Sequence, residues 1–232
     1  MANPRLLLCD TDALIQVFLT KDQTKKLLPL RILKDAYGIQ PAIVVEVETE
    51  LRSTRRYLNQ FDADLKKATG NGTLLLLDEG AFGNYVSPSN LSRTIYSSFQ
   101  NLGKQHYRYA HRGEAYTFAA AVTLGEPALS NDASALEALD RQGFPLPSPV
   151  LRVFDLLAFC LQTGDLTEKD CDSTRRELIR LEEPVPRIFQ RASFGDGLPN
   201  FCPRFLDGKK ACIGQAPSPC AAYKMQRLLD RL

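Results

Sequence analysis

The sequence predicts an α/β protein built on a parallel sheet, and three observations predict it. Leu6-Leu7-Leu8, Leu74-Leu75-Leu76-Leu77 and Ala128-Leu129 are short apolar runs with the length and composition of strands buried on both faces. Longer segments with apolar residues at helical spacing separate them. Alternation of the two is the pattern of parallel strands joined by crossover helices.

Taken in order, the first strand stops at Asp10-Thr11-Asp12, and a helix follows with Leu14, Ile15, Val17 and Phe18 on its apolar side. Residues 29–37 read as a second helix, with Pro29 at its start and Gly38 as a left-handed stop. Residues 38–41 are expected to be short and extended. A helix is expected over 42–58, with Val44, Val47, Leu51 and Leu58 roughly on one side. A further helix covers 62–68, Gly70-Asn71-Gly72 supplies a turn, and the four leucines form a strand. The polar stretch 78–112 holds one helix over 91–102, capped by Ser89 or Asn90. An alanine-rich helix over 113–124 closes at Gly125, and the brief strand 128–130 ends in Asn131-Asp132. Helices follow to Gln142 with a Gly143 stop, over 149–162 with Ser148 as cap and Gly164 as stop, and over 167–181. The last opens on a Thr167/Asp170 capping box.

The chain has 232 residues and is 44% hydrophobic, enough to bury a full core. No stretch approaches the roughly 20 apolar residues of a membrane span, and the N-terminus lacks a signal pattern. A cytoplasmic protein with no membrane association is therefore expected. The six cysteines are scattered, without a disulfide framework or zinc spacing. Composition divides the chain into a domain over 1–186 and a C-terminal extension over 187–232. That extension contains Gly, Pro and Cys, carries eight Lys or Arg against three Asp, and ends in a helix from Cys220.

Four acids occupy equivalent topological places. Asp10 and Asp132 each follow a strand, Glu46 lies near the start of a helix, and Glu114 is the first acid of the alanine-rich helix. If the two Asp-bearing strands are neighbours, their ends lie about 4.8 Å apart. Carboxylates that close repel and are driven towards protonation unless a cation intervenes. Oxygen ligands without His or Cys suit Mg²⁺ or Mn²⁺. An Asp after a strand also serves as an ordinary helix cap, so both readings of Asp10 and Asp12 stand. Glu50 lies one helical turn from Glu46, and the two share a face.

The order of these motifs resembles the PIN-domain family of metal-dependent ribonucleases, especially VapC-like bacterial proteins. The matching segments are Leu8-Cys9-Asp10-Thr11-Asp12-Ala13-Leu14-Ile15, Pro41-Ala42-Ile43-Val44-Val45-Glu46-Val47, Arg112-Gly113-Glu114-Ala115 and Leu129-Ser130-Asn131-Asp132-Ala133. The resemblance covers about residues 5–180. It implies a three-layer α/β/α sandwich around a parallel sheet of about five strands. It implies an endoribonuclease whose metal, Mg²⁺ or Mn²⁺, is held by Asp10, Glu46, Glu114 and Asp132. Asn131 or Thr11 would hydrogen-bond a ligand or a water. Asp12 stands where the family has Asn or Ser, as an extra ligand or a substitute. Glu50-Leu51 also fits the family's Glu-Leu pattern, with Glu46 preferred for its distance from Pro41. The implied partners are RNA, an antitoxin protein and a second copy of the chain.

Arg108, Tyr109, His111 and Arg112 mix cations and rings just ahead of Glu114. Bases stack on such rings and phosphates pair with such cations, so these residues are candidates to grip RNA. Two other functions remain open. Asp10-Thr11-Asp12 also resembles the Asp-x-Asp opening of haloacid-dehalogenase-type phosphohydrolases, where one Asp attacks phosphate. The chain departs there with Ala13-Leu14, and Glu46 and Glu114 have no role in that scheme. The other is a PIN-like module that binds RNA or protein without cutting.

Overall fold

Strands that are flanked by strands and covered on both faces have no polar surface to show, and here they are drawn from the most apolar stretches. The computed structural model describes residues 5–19, 26–53, 58–86, 92–147, 149–201, 205–206 and 209–210. The central strand β1 (Arg5–Cys9) is fully buried from Leu6 to Cys9. On one side of it lie β2 (Ile39–Val44) and then β3 (Leu75–Leu77); on the other lie β4 (Ala128–Leu129) and β5 (Val150–Leu151). The order is β3-β2-β1-β4-β5, with every pairing parallel. The protein is thus an α/β fold on one five-stranded parallel sheet, as expected.

Helices α1 (Thr11–Phe18) and α2 (Leu28–Tyr37) lead from β1 to β2, and α3 (Val45–Ser53) and α4 (Leu58–Gly70) lead on to β3. Next, α5 (Glu79–Val86), α6 (Ser92–His106) and α7 (Arg112–Leu124) carry the chain across to β4, and α8 (Ala133–Arg141) leads to β5. The chain therefore steps outward in one direction from β1 and in the other from β4. Parallel crossovers are right-handed, so the two sets of helices lie on opposite faces and the molecule has three layers. Between β1 and β4 the direction reverses, and in open α/β sheets the crevice for ligands lies at the carboxyl ends of strands at such a reversal.

Helix α7 lies against β1, β2 and β4, and its Ala119, Ala120 and Ala121 are wholly buried. Small side chains let its backbone approach the sheet. Against its outer side packs α6, whose Gly103 faces the Tyr116 ring. A Cβ there would lie 2.5 Å from that ring's Cδ1, closer than any packed atoms come. The stops expected at Gly38, Gly125, Gly143 and Gly164 all have positive φ, between 66° and 81°.

Beyond the sheet come α9 (Val153–Gln162) and α10 (Glu168–Arg180), followed by the short α11 (Arg187–Arg191) and α12 (Phe194–Gly197). A single 3-10 turn and the paired strands β6 (Phe205–Leu206) and β7 (Lys209–Lys210) complete the described chain. Phe189, Phe154 of α9 and Phe194 form a three-ring cluster, with centroids 5.1 Å (Phe154–Phe189), 4.7 Å (Phe189–Phe194) and 6.0 Å (Phe154–Phe194) apart. The Phe194 N–H donates to Asp172 Oδ1 at 2.7 Å, and Arg175 Nη1 donates to the Phe189 carbonyl at 3.0 Å. Residues 187–201 are therefore packed onto the body. No helix among the described residues is long and apolar enough to cross a membrane.

Three segments differ from expectation. Residues 42–44 continue β2 rather than opening a helix, because Ala42, Ile43 and Val44 pair with β3 and are buried on both faces. Residues 150–151 form the fifth strand, and the following helix begins at Val153. Its cap is Arg152, whose N–H donates to Asp155 Oδ2 at 2.9 Å; the expected cap Ser148 lies outside the described residues. Helix α5 occupies part of the stretch read as irregular, anchored by Phe82 against Phe99 and Tyr96. The expected terminal helix from Cys220 lies outside the described residues.

Candidate acidic site at the strand-order reversal

Asp10 stands at the crevice because the β1–β4 ladder runs one residue past the strand. Its N–H donates to the Leu129 carbonyl at 3.0 Å, and the chain then turns into α1. The carboxylate is completely buried and does two things. Oδ1 caps α1 by accepting the Ala13 N–H at 2.7 Å, while Oδ2 has no hydrogen-bond partner of good geometry. Both sequence readings of Asp10, helix cap and site acid, thus describe the same side chain. Burial pushes its pKa well above the carboxylate range. The Ser130 hydroxyl opposes that shift, the Glu114 charge adds to it, Ala13 opposes and Asp12 adds.

Glu114 enters from the first turn of α7 and is 3% exposed, and its Oε2 also lacks a hydrogen-bond partner. Its pKa is pushed up to about 7 by burial first and then by Asp12, with Asp132 and Glu50 adding and its own backbone N–H opposing. Asp132 caps α8, and both cap bonds fall on Oδ1, from Ser134 N–H at 2.7 Å and Ala135 N–H at 3.0 Å. Asp12 is exposed at the lip. Partial desolvation raises its pKa, as do the charges of Asp132, Glu50 and Glu183, while His111 lowers it.

The structure treats the two glutamates of α3 differently. Glu50 accepts the Thr11 hydroxyl on Oε2 at 2.8 Å, and its charge acts on Asp12 and Glu114. Glu46 accepts from Gln100 Nε2 of α6 at 3.2 Å and faces Tyr96 and Tyr116. Those two phenols are pushed up by burial and then by its charge. The acids that act most on Asp10, Asp12 and Glu114 are one another, Asp132, Glu50 and Glu183. The site therefore gathers Asp10, Asp12, Glu50, Glu114 and Asp132, with Glu46 turned toward α6.

Two residues join the site without having been expected there. Ser130 is the buried hydroxyl beside Asp10, and Glu183 follows α10 on a segment that Gln16 holds by donating to the Pro184 carbonyl at 2.7 Å. Ser130 lies within the Leu129-Ser130-Asn131-Asp132 segment, whereas Glu183 has no local motif and arrives from far along the chain. Thr11 is committed to Glu50, and Asn131 Oδ1 accepts from Val153 N–H at 3.2 Å, tying the site to α9.

Arg108, Tyr109, His111 and Arg112 sit where α6 turns into α7. Arg108, Tyr109 and His111 line a shallow, open depression shared with Asp132, Ser134 and Arg141. Tyr109 is 41% exposed there. The neighbouring His106 belongs to the core instead, its ring edge-on to Phe144 at 4.9 Å.

Comparison with protein-family models, with curated proteins and with solved structures finds no match. The chemistry of the site therefore rests on its own residues. Among the described residues, no three His, Cys, Asp or Glu side chains close into a ready-made metal cage. Mg²⁺ is commonly held by one or two carboxylates, with water completing its shell. Asp10 Oδ2 and Glu114 Oε2 fit that role: they are hard oxygen donors, buried, without hydrogen-bond partners of good geometry, on carboxylates that repel each other.

Proposed function

We propose that the chain is a PIN-like, Mg²⁺- or Mn²⁺-dependent endoribonuclease acting at this crevice. The observation that carries the reading is the pair of buried, mutually repelling carboxylates at the strand-order reversal, Asp10 and Glu114, whose Oδ2 and Oε2 have no hydrogen-bond partner of good geometry. A buried charge without a partner is costly, and a divalent cation is what such a pair lacks. Asp10 and Glu114 would hold the ion, and Asp132 and Glu50 would supply outer oxygens. Bound there, the ion would activate a water and neutralise charge on a phosphodiester.

The chain's own residues do the rest. Asp10 and Asp132 are pinned by their capping bonds, so their carboxylates are oriented before substrate arrives. Arg108 and Arg141 supply positive charge beside Asp132, and Tyr109 offers an exposed ring on which a base can stack. His111 lies close enough to act on Asp12, so cationic and acidic surfaces adjoin. Cys9, Cys160 and Cys171 are buried free thiols, which suits a reducing compartment, and we place the activity in the cytoplasm.

Incubating purified protein with end-labelled single-stranded RNA tests the reading. Cleavage in Mn²⁺ that stops in EDTA is expected. RNA binding without cleavage in either metal would move the chain to the non-catalytic module. A phosphohydrolase that uses Asp10 as nucleophile fits the site less well, because that carboxylate is wholly buried with one oxygen held by Ala13.

A further inference from the structure

Asp10 and Asp132 are fixed by helix caps, and Glu114 is fixed by burial. Glu50 caps no helix and is only half-buried, on a long side chain with rotamer freedom to lose. Two features act on it. The Thr11 hydroxyl, 4% exposed, donates to Glu50 Oε2 at 2.8 Å. A Cβ on Gly113 would lie 2.3 Å from both Glu50 Oε2 and Thr11 Oγ1, so the first turn of α7 rests directly on this pair. Three separate helices, α1, α3 and α7, thereby meet at one hydrogen bond.

We infer that Thr11 and Gly113 are positioning residues that clamp the Glu50 carboxylate in the acidic crevice. Thr11 engages Oε2 and so sets the plane of the carboxylate. Gly113 leaves the space in which that carboxylate lies. A larger side chain there would drive Glu50 outward or push α7, and Glu114 with it, away from Asp10. Hydrogen bonds of this kind orient metal-binding groups and tune their affinity. The inference rests on the metal-binding reading above.

Mn²⁺ titration calorimetry on the full chain, without RNA, tests it. Thr11→Val keeps the shape and removes the donor, and it is expected to weaken Mn²⁺ about tenfold, the range seen for outer-shell partners. Thr11→Ser restores the donor and should bind close to wild type. Gly113→Ala should weaken binding although alanine is the better helix former. Adding Thr11→Val to Glu50→Gln should cost nothing further. Thermal melts confirm that each variant is folded. If Glu50→Gln weakens Mn²⁺ while Thr11→Val binds like wild type, the clamp is overturned and the metal site stands. If Glu50→Gln itself binds like wild type, there is nothing to position and the clamp is again overturned. A wild-type chain that takes up no Mn²⁺ overturns the metal reading and the clamp together.

Discussion

The Asp10 N–H donates to the Leu129 carbonyl at 3.0 Å, so the first acid of the site is held by the neighbouring strand before its side chain does anything. Its carboxylate then divides, with Oδ1 spent on the Ala13 cap and Oδ2 outside that cap, where the proposed cation would bind. Asp10→Asn separates the two roles, because Asn caps helices as well as Asp does. The variant should melt no lower than wild type in EDTA, having lost a buried charge. It should lose more than about a hundredfold in Mn²⁺ affinity, beyond what outer-shell changes cause. Asp10→Ala should also cost about 1 kcal/mol through the lost cap. An Asn variant that still binds metal and cuts RNA would place the ion elsewhere.

Glu114 predicts how metal-free stability depends on pH. Its pKa rises from 4.5 to about 7 on folding, so between those values the folded chain holds a proton that the unfolded chain has released. The Glu114 contribution is then full below about pH 4.5, falls as pH rises to about 7, and is level above. At about 1.4 kcal/mol per unit the loss is at most about 3 kcal/mol. Asp10 shifts in the same direction and adds to it. Urea melts in EDTA from pH 5 to 8 should show the decline, and Mn²⁺ should reverse it at the upper end. A flat profile in EDTA would mean these carboxylates are better solvated than the crevice allows.

The two glutamates of α3 should separate cleanly. Glu50→Gln removes a charge that acts on Asp12 and Glu114, and RNA cleavage should fall sharply. Glu46→Gln keeps an acceptor for Gln100 and should cut near the wild-type rate. The reverse outcome, measured with the same labelled RNA, would return the second acid to Glu46.

Phe189 tests whether residues beyond 186 belong to the folded body. Its ring packs against both Phe154 and Phe194, and it is completely buried. Phe189→Ala should cost about 3–5 kcal/mol in urea unfolding. A chain ending at 186 should expose Phe154 and aggregate. Wild-type stability in either form would make the extension a separate unit.

Part of the site was legible because it is local. Asp10 follows its apolar strand directly and Asp132 follows its own within three residues, and an acid at a strand end lies at the carboxyl edge whatever the rest of the chain does. Glu114 was equally marked by its place at the head of an alanine-rich helix. The choice between Glu46 and Glu50 was not legible. The two lie one turn apart on one helix face, and their chemistry is identical. The helix begins at Val45 because β2 runs on through Val44, and that register gives Glu50 to Thr11 and Glu46 to Gln100. Glu183 was invisible for a different reason: it comes near Asp12 through the packing of the segment after α10, which Gln16 helps to hold.

The sequence by itself determined the α/β class, the central strand, most helices and the glycines that end them. Those features depend on apolar spacing and on backbone conformations that few residues adopt. Tertiary structure alone decided that β1 and β4 are neighbours, that residues 42–44 and 150–151 are strands, and which acids share a crevice. A strand buried on both faces loses the polar alternation that would mark it, and a carboxylate's role is set by what packs against it. Burial and partners are properties of the assembled chain, which is why Glu50 needed Thr11 and Gly113 to be seen.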